Sequence, residues 1–218
     1  MATKKNEDVN LINIDAKTNR MEITISGTGD LVLNKMNARN ERMLIADDRK
    51  SIREVPNVWE DIITAMHWQK PLSEYMKDTY KESNEEILNK LFSDNAPCIS
   101  AFGLKKSFGQ AVTRNEIDKY STKFDPSVNI IATNNLIPIK FESWECRTQL
   151  MSPKRGAPIT TRLNHFHNWE ATFEIDYLDH VYSRDQILNI INLAGFGLGI
   201  GSGRTSGYGR YHITNVAA

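Results

Sequence analysis

The stretch Gly199-Ile200-Gly201-Ser202-Gly203-Arg204-Thr205-Ser206-Gly207-Tyr208-Gly209-Arg210 constrains this chain most, with five glycines in the eleven residues from Gly199 to Gly209. So few Cβ atoms make a poor helix or strand interior, but the backbone can reach positive φ angles that other residues avoid. What lies on either side fixes the setting. Ser183-Arg184-Asp185-Gln186 is a capping box, and the apolar positions Ile187, Leu188, Ile190, Ile191, Leu193 and Ala194 predict a helix behind it. Tyr208 to Val216 reads as a last strand. A glycine loop running from helix to strand is not the dinucleotide fingerprint, which opens a helix, nor a P-loop, which needs Gly-Lys-Ser/Thr before one. Two readings stand. The free amides form a nest for a phosphate, with Arg204, Thr205, Ser206 and Arg210 adding donors; or the loop is a connector whose glycines permit tight packing.

Residues 1–20 are polar and predict a frayed lead-in. Met21, Ile23 and Ile25 alternate with polar residues as a half-buried strand does. Gly27-Thr28-Gly29-Asp30 ends it, Leu31-Val32-Leu33 follows, and residues 34–54 predict a long exposed loop. Val58 to about Trp68 has helical spacing, and a second helix is predicted from Leu72 to Phe92 with a break near Ser83-Asn84. This pair looks like a helical insertion at about 55–95. Pro97 to Ser100 leads into an amphipathic helix carrying Phe102, Leu104, Phe108, Ala111 and Val112, with Lys105, Lys106 and Gln110 pointing elsewhere. Ile137, Ile139 and Phe141 begin a strand continuing to Leu150, Ser152 to Pro158 makes a hairpin-like loop, and Trp169 to Tyr177 is the next strand. Two helices over an antiparallel sheet predict an α+β, ferredoxin-like (RRM-like) domain spanning 21–218.

The chain has 25% charged and 40% hydrophobic residues, ordinary for a globular protein. No apolar run approaches the roughly 20 residues that span a bilayer, and the first residues lack a signal-peptide core, so a cytoplasmic protein without a membrane partner is expected. Cys98 and Cys146 suggest buried thiols, with neither a disulfide framework nor a metal site. Net charge is zero, against an indiscriminate coater of nucleic acid. Charge is local, however: residues 56–95 hold eight acids and four lysines, whereas 147–162 hold four basic residues and no acid.

The helix, glycine loop and final strand resemble the signature of the repeat-associated RNA-binding (RAMP) superfamily of CRISPR systems. Ile99-Ser100-Ala101-Phe102-Gly103-Leu104-Lys105-Lys106-Ser107-Phe108 is similar to a degenerate form of that family's Ser-Ser-Leu-Lys-Gly helix start. The opening Ile23-Thr24-Ile25-Ser26-Gly27 with Leu31-Val32-Leu33-Asn34 resembles small stand-alone members carried by phages and mobile elements. The likeness covers residues 21–35 and 97–216. It implies a domain that grips single-stranded RNA, or single-stranded DNA, along its backbone, with side-by-side homo-oligomers along the strand. Gly199, Gly201, Gly203, Gly207 and Gly209 would then admit the backbone, and Lys105, Lys106, Arg147, Lys154, Arg155, Arg162, Arg204 and Arg210 would meet phosphates. Trp144, Phe166 and Trp169 are stacking candidates, although for any one of them packing in the core is the favoured reading.

Some members of that superfamily cut RNA without metal through histidine. Here the candidates are His165 and His167, which strand periodicity aligns with Phe173 and Ile175 unless a bulge near Asn168 turns the register. Others cut with metal through an aspartate after the first strand, where Asp30, Asp47 and Asp48 lie. His-x-His without a third ligand makes no metal site, and no cofactor is indicated. The residues favour a grip without catalysis. An endoribonuclease, a sponge for small or cyclic nucleotides in phage–host conflict, and a purely structural subunit are the alternatives.

Overall fold

The computed structural model describes residues 18–45, 57–75, 85–151 and 159–217. Lys154 and Arg155, the Ser152–Pro158 loop, Asp47, Asp48 and the expected break at Ser83-Asn84 lie outside the described residues.

The first strand, β1 (Thr18–Gly27), buries Met21, Ile23 and Ile25, leaving Glu22 exposed and Thr24 half-buried between them, as its alternation predicts. It begins three residues before the alternation does, within the stretch read as a lead-in. A short β2 (Leu31–Leu33) follows. The expected long loop contains a helix, α1 (Ala38–Ile45), none of whose residues is buried. Its large apolar residues, Met43, Leu44 and Ile45, come only at its end, too short a run to mark a helix by periodicity. The helix expected from Val58 to Trp68 stops early, as α2 (Val58–Thr64), and the chain turns into a two-residue β3 (His67–Trp68). The Trp68 indole folds back to donate to the Ile63 carbonyl at 2.8 Å, which fixes the turn. The predicted second helix is described only as a single 3-10 turn (Leu72–Glu74) and α3 (Glu85–Asp94).

Next come β4 (Pro97–Ser100), α4 (Ala101–Arg114), the single turn α5 (Phe124–Ser127) and β5 (Val128–Ile131). The expected continuous strand from Ile137 to Leu150 is two strands in different sheets, β6 (Leu136–Lys140) and β7 (Ser143–Met151). Then β8 (Ile159–His167), β9 (Glu170–Leu178), α6 (Arg184–Gly197) and β10 (Tyr211–Ala217) complete the chain. The predicted capping box at Ser183 and Gln186 is present at the start of α6.

The molecule is α+β, and every described strand pairing is antiparallel. One seven-stranded sheet runs β10-β1-β9-β6-β4-β3, with β5 beside β6 on the same edge of β9. The second sheet is β2-β8-β7. On one face of the large sheet lie α4 and α6, with Phe108, Ala111, Val112, Ile187, Ile190 and Ile191 against Ile23, Phe173 and Ile175. Burying each large aliphatic or aromatic side chain there contributes about 1.5–3 kcal/mol. The other face is polar: Thr24 and Thr172 share a hydrogen bond at 2.9 Å, and Arg20 pairs with Asp176 at 2.8 Å. Phe102 departs from expectation, standing 66% exposed on the outer side of α4. Among the described residues no helix is long and apolar enough to cross a membrane.

The small sheet sits on α2 and α3. Phe92 of α3 meets Trp68, Phe141, Trp144 and Phe166 with ring centroids 5.2–6.2 Å apart. The strand break that separates β8 from β9 falls at Asn168, which adopts φ 48°. Asparagine tolerates that left-handed conformation better than most residues.

Candidate nucleic-acid interface

At the head of α4 Ser100 is the N-cap, its hydroxyl accepting from the Gly103 amide at 3.2 Å. Asn135 accepts from the Phe102 amide at 2.8 Å and donates to the Ser100 hydroxyl at 3.1 Å. These free helix-end donors are therefore satisfied by the protein itself. With its apolar face buried, α4 presents Gly103, Lys106 and Gln110 along one side at three- and four-residue spacing.

Opposite that side runs the glycine loop. Its five glycines all have positive φ, from 68° to 89°. Two of them show why no other residue fits. A Cβ on Gly209 would lie 1.8 Å from the Ile200 carbonyl oxygen, and one on Gly201 would lie 2.5 Å from that of Val32. The amides are largely spent inside the protein: Ile200 on Gly209 (3.0 Å), Ser202 on Val32 (2.8 Å), Gly209 on Asp30 (2.7 Å), and Gly199 on Ala194 (2.8 Å). Tight packing explains most of the glycines, and the loop is a rigid wall more than an open nest. The amides of Gly201, Gly203, Arg204 and Thr205 have no acceptor among the described residues.

Between this wall and α4 lies a cleft of about 300 Å³, closed on the third side by Asn34, Lys35 and His67. Lys106, Gly201, Ser202 and Arg204 line it. It shares Asn34, Lys35 and Ala65 with a wider trough of about 840 Å³ that reaches Thr161 and Arg162 on β8. The structure thus gathers Lys106, Arg162, Gly201 and Arg204 of the expected residues, and adds Lys35 and His67, which no local pattern had marked. Lys35, Lys106, Arg162 and Arg204 make no ion pair among the described residues. Arg39, also at the trough, is held by Asp61 at 3.0 Å. Partial burial and the nearby Lys35 ammonium lower the pKa of His67, which favours its neutral form.

Other expected residues stand elsewhere. Lys105 lines an adjoining hollow with Thr113 and Asp125, which shares Lys106 and Gln110 with the cleft. Gly199, Gly203, Thr205, Ser206 and Gly207 belong to the loop but do not line the cleft. Arg210 donates to the Arg204 carbonyl at 3.3 Å and does not line the cleft. Phe166 and Trp169 offer no face for a base: they are 0% and 1% exposed, within the core. Trp144 is half-buried against Phe92.

Arg147, expected to meet phosphate, is instead committed to acids. It pairs with Glu145 and lies 3.5 Å from Asp30. The turn at Asn168 frees both histidines from the β9 register and brings them to the same aspartate. His167 Nδ1 is 2.7 Å from Asp30 and its Nε2 is 3.0 Å from Glu145; His165 Nδ1 is 3.4 Å from Asp30. The Tyr208 ring, from the glycine loop, meets His165 edge-on at 5.1 Å. Burial raises the Asp30 pKa, but hydrogen bonds and charge from His167, His165 and Arg147 outweigh it and hold the carboxyl below the usual range. Burial first, and then Arg147, lower that of His165. His165 has no exposed side-chain surface, and both His167 nitrogens lie within hydrogen-bond reach of carboxylates. Among the described residues no cluster of three or more ligands suited to a metal occurs.

No protein-family model matches this chain, and no curated protein matches it. Several solved structures are similar to it, among them these two. One is a chain of the type III-B Cmr-beta complex bound to cognate target RNA, with 11% identity and TM-score 0.43. The match covers 92% of this chain and 60% of that one, so the present chain spans less than two thirds of its length. The other is Cmr6 from Pyrococcus furiosus, with 10% identity over 93% of this chain and 100% of that one, at TM-score 0.37. Both likenesses concern the general course of the chain and assign no function.

Proposed function

We propose that this protein is a RAMP-like, non-catalytic binder of single-stranded RNA, gripping the strand in the trough between α4, the glycine loop and β8. One observation carries the reading. Four cations from four separate parts of the chain, Lys35, Lys106, Arg162 and Arg204, line one continuous depression, and no carboxylate is paired with any of them among the described residues. A net-neutral protein that leaves such a set unpaired has a ready site for a polyanion. The ferredoxin-like reading of the core is supported by the strand order β10-β1-β9-β5, with α4 between β1 and β5 and α6 between β9 and β10. Side-by-side copies along one strand belong to the same proposal, as does preference for RNA over DNA.

The test is fluorescence anisotropy with a labelled single-stranded RNA over a salt series. Micromolar or tighter binding that weakens steeply with salt is expected, at a slope of about −0.7 per phosphate neutralised. No binding at low salt would sink the proposal. Intact RNA after prolonged incubation is the expected companion result, and cleavage lost in a His165→Ala/His167→Ala variant would replace the grip with a nuclease.

A further inference from the structure

Among the described residues four glycines lie within helices: Gly103 and Gly109 in α4, Gly195 and Gly197 in α6. Gly195 is forced, because a Cβ there would lie 2.1 Å from the Tyr211 carbonyl oxygen. At Gly109 a Cβ would lie 2.8 Å from an Asp125 side-chain oxygen and 3.3 Å from the Ser121 Cβ, so those side chains would have to shift. Gly197, exposed at the last residue of its helix, would meet nothing within 4 Å. Gly103 likewise has no steric reason, but unlike Gly197 it lines the cleft. It stands in the first turn of α4 without a positive φ, and a Cβ there would meet only Ser100, at 3.6 Å, an ordinary contact. Glycine in a helix costs about 0.5–1 kcal/mol relative to alanine, and no contact among the described residues offsets it. The bare backbone faces the 300 Å³ cleft.

The shape and chemistry of that cleft say what comes close. Leu33, Ile99, Leu104 and Ile200 form an apolar floor, while Lys35, Lys106 and Arg204 stand about its rim. Gln110, His67 and Asn34 add polar groups with both donor and acceptor capacity. The volume lies at the small end of ligand pockets. An apolar slot with cations at its mouth suits a flat heteroaromatic ring attached to a phosphodiester, and suits a bare phosphate poorly.

We propose that this cleft receives one nucleobase turned out of the bound strand, seated against the bare Gly103 backbone, with its flanking phosphates on Lys35, Lys106 and Arg204. This rests on the single-strand-binding reading and adds to it a contact that salt does not screen. Stacking or apolar seating of one base changes affinity by about tenfold in comparable single-strand sites.

The experiment compares two strands of equal length and charge, an RNA and a strand in which every base is replaced by an abasic spacer. Wild-type protein is expected to bind the RNA about tenfold or more tightly, with equal salt slopes for the two. Gly103→Leu, which fills the cleft with a good helix former, is expected to erase that difference; a tenfold difference that persists in this variant overturns the base pocket. Gly103→Ala is the folding control, expected to melt no lower than wild type. Equal wild-type affinity for the two strands overturns the base pocket and leaves the trough standing; that comparison needs no variant to fold. Binding of neither strand overturns both readings, and saturable binding of a 5′-mononucleotide without any strand binding overturns both in favour of a free-nucleotide site.

Discussion

The two sides of the glycine loop carry similar residues in opposite conditions. On the cleft side Lys35, Lys106 and Arg204 are unpaired. On the other side Arg147, His165 and His167 are knotted to Asp30 and Glu145. A cation count along the sequence treats these alike, and the structure does not. An arginine already paired with a carboxylate must lose that partner to gain a phosphate, whereas an unpaired lysine only releases water and counterions. The largest expected effect follows from that difference. Lys35→Ala/Lys106→Ala/Arg204→Ala should weaken RNA binding by on the order of tenfold per cation at 0.05 M salt, and flatten the salt slope by about 2. Arg147→Ala should leave affinity within about twofold. If Arg147→Ala proves as damaging as the triple variant, the comparison is broken and the strand runs across the cluster side.

The wall between the two sides should fail before either side does. Gly209 has φ 68°, and any Cβ there collides with the Ile200 carbonyl. Gly209→Ala is expected to cost on the order of 3 kcal/mol, through left-handed strain and overpacking together. Gly207 also has positive φ, at 89°, but its Cβ would point into open space. Gly207→Ala should therefore cost only the strain, about 1–2 kcal/mol. Chemical denaturation of the two variants measures the gap. Equal losses would mean that the loop is no rigid partition.

Much of this frame is visible along the chain. The alternation of Met21, Ile23 and Ile25 and of Phe173, Ile175 and Tyr177, like the Ser183 cap, reports on groups that neighbours in sequence already satisfy. What stays hidden depends on distant partners. Ile137 to Phe141 and the strand after them keep one alternating pattern, although they leave one sheet for the other at Phe141-Glu142, because period two describes a strand and not its sheet. Lys35 and His67 meet Lys106 only through topology, without any motif. The neutralisation of Arg147 was within reach: on a strand, residues 145 and 147 share a face, so Glu145 lies beside it.

The smallest effect separates the two sides by pH. His165 is buried and its folded-state pKa is depressed, so the unfolded chain takes up a proton first as pH falls. Stability from keeping it neutral is full above its unfolded value of about 6.5 and declines below it, by at most about 1.4 kcal/mol per pH unit. Asp30 works at lower pH. Its pKa is also depressed, so its contribution is present above about 4 and is lost as pH falls through the folded value. The groups facing this site are Glu145 and Arg147 from β7, His167 from β8 and Tyr208 from the loop. His67, on the cleft side, is depressed in the same direction, so His67→Asn is the necessary control. Melting temperature should fall between pH 6.5 and 5 in wild type and in His67→Asn, and the fall should shrink in His165→Asn. A fall that His67→Asn removes and His165→Asn leaves intact would move the pH-sensitive side of the loop from the knotted cluster to the open cleft.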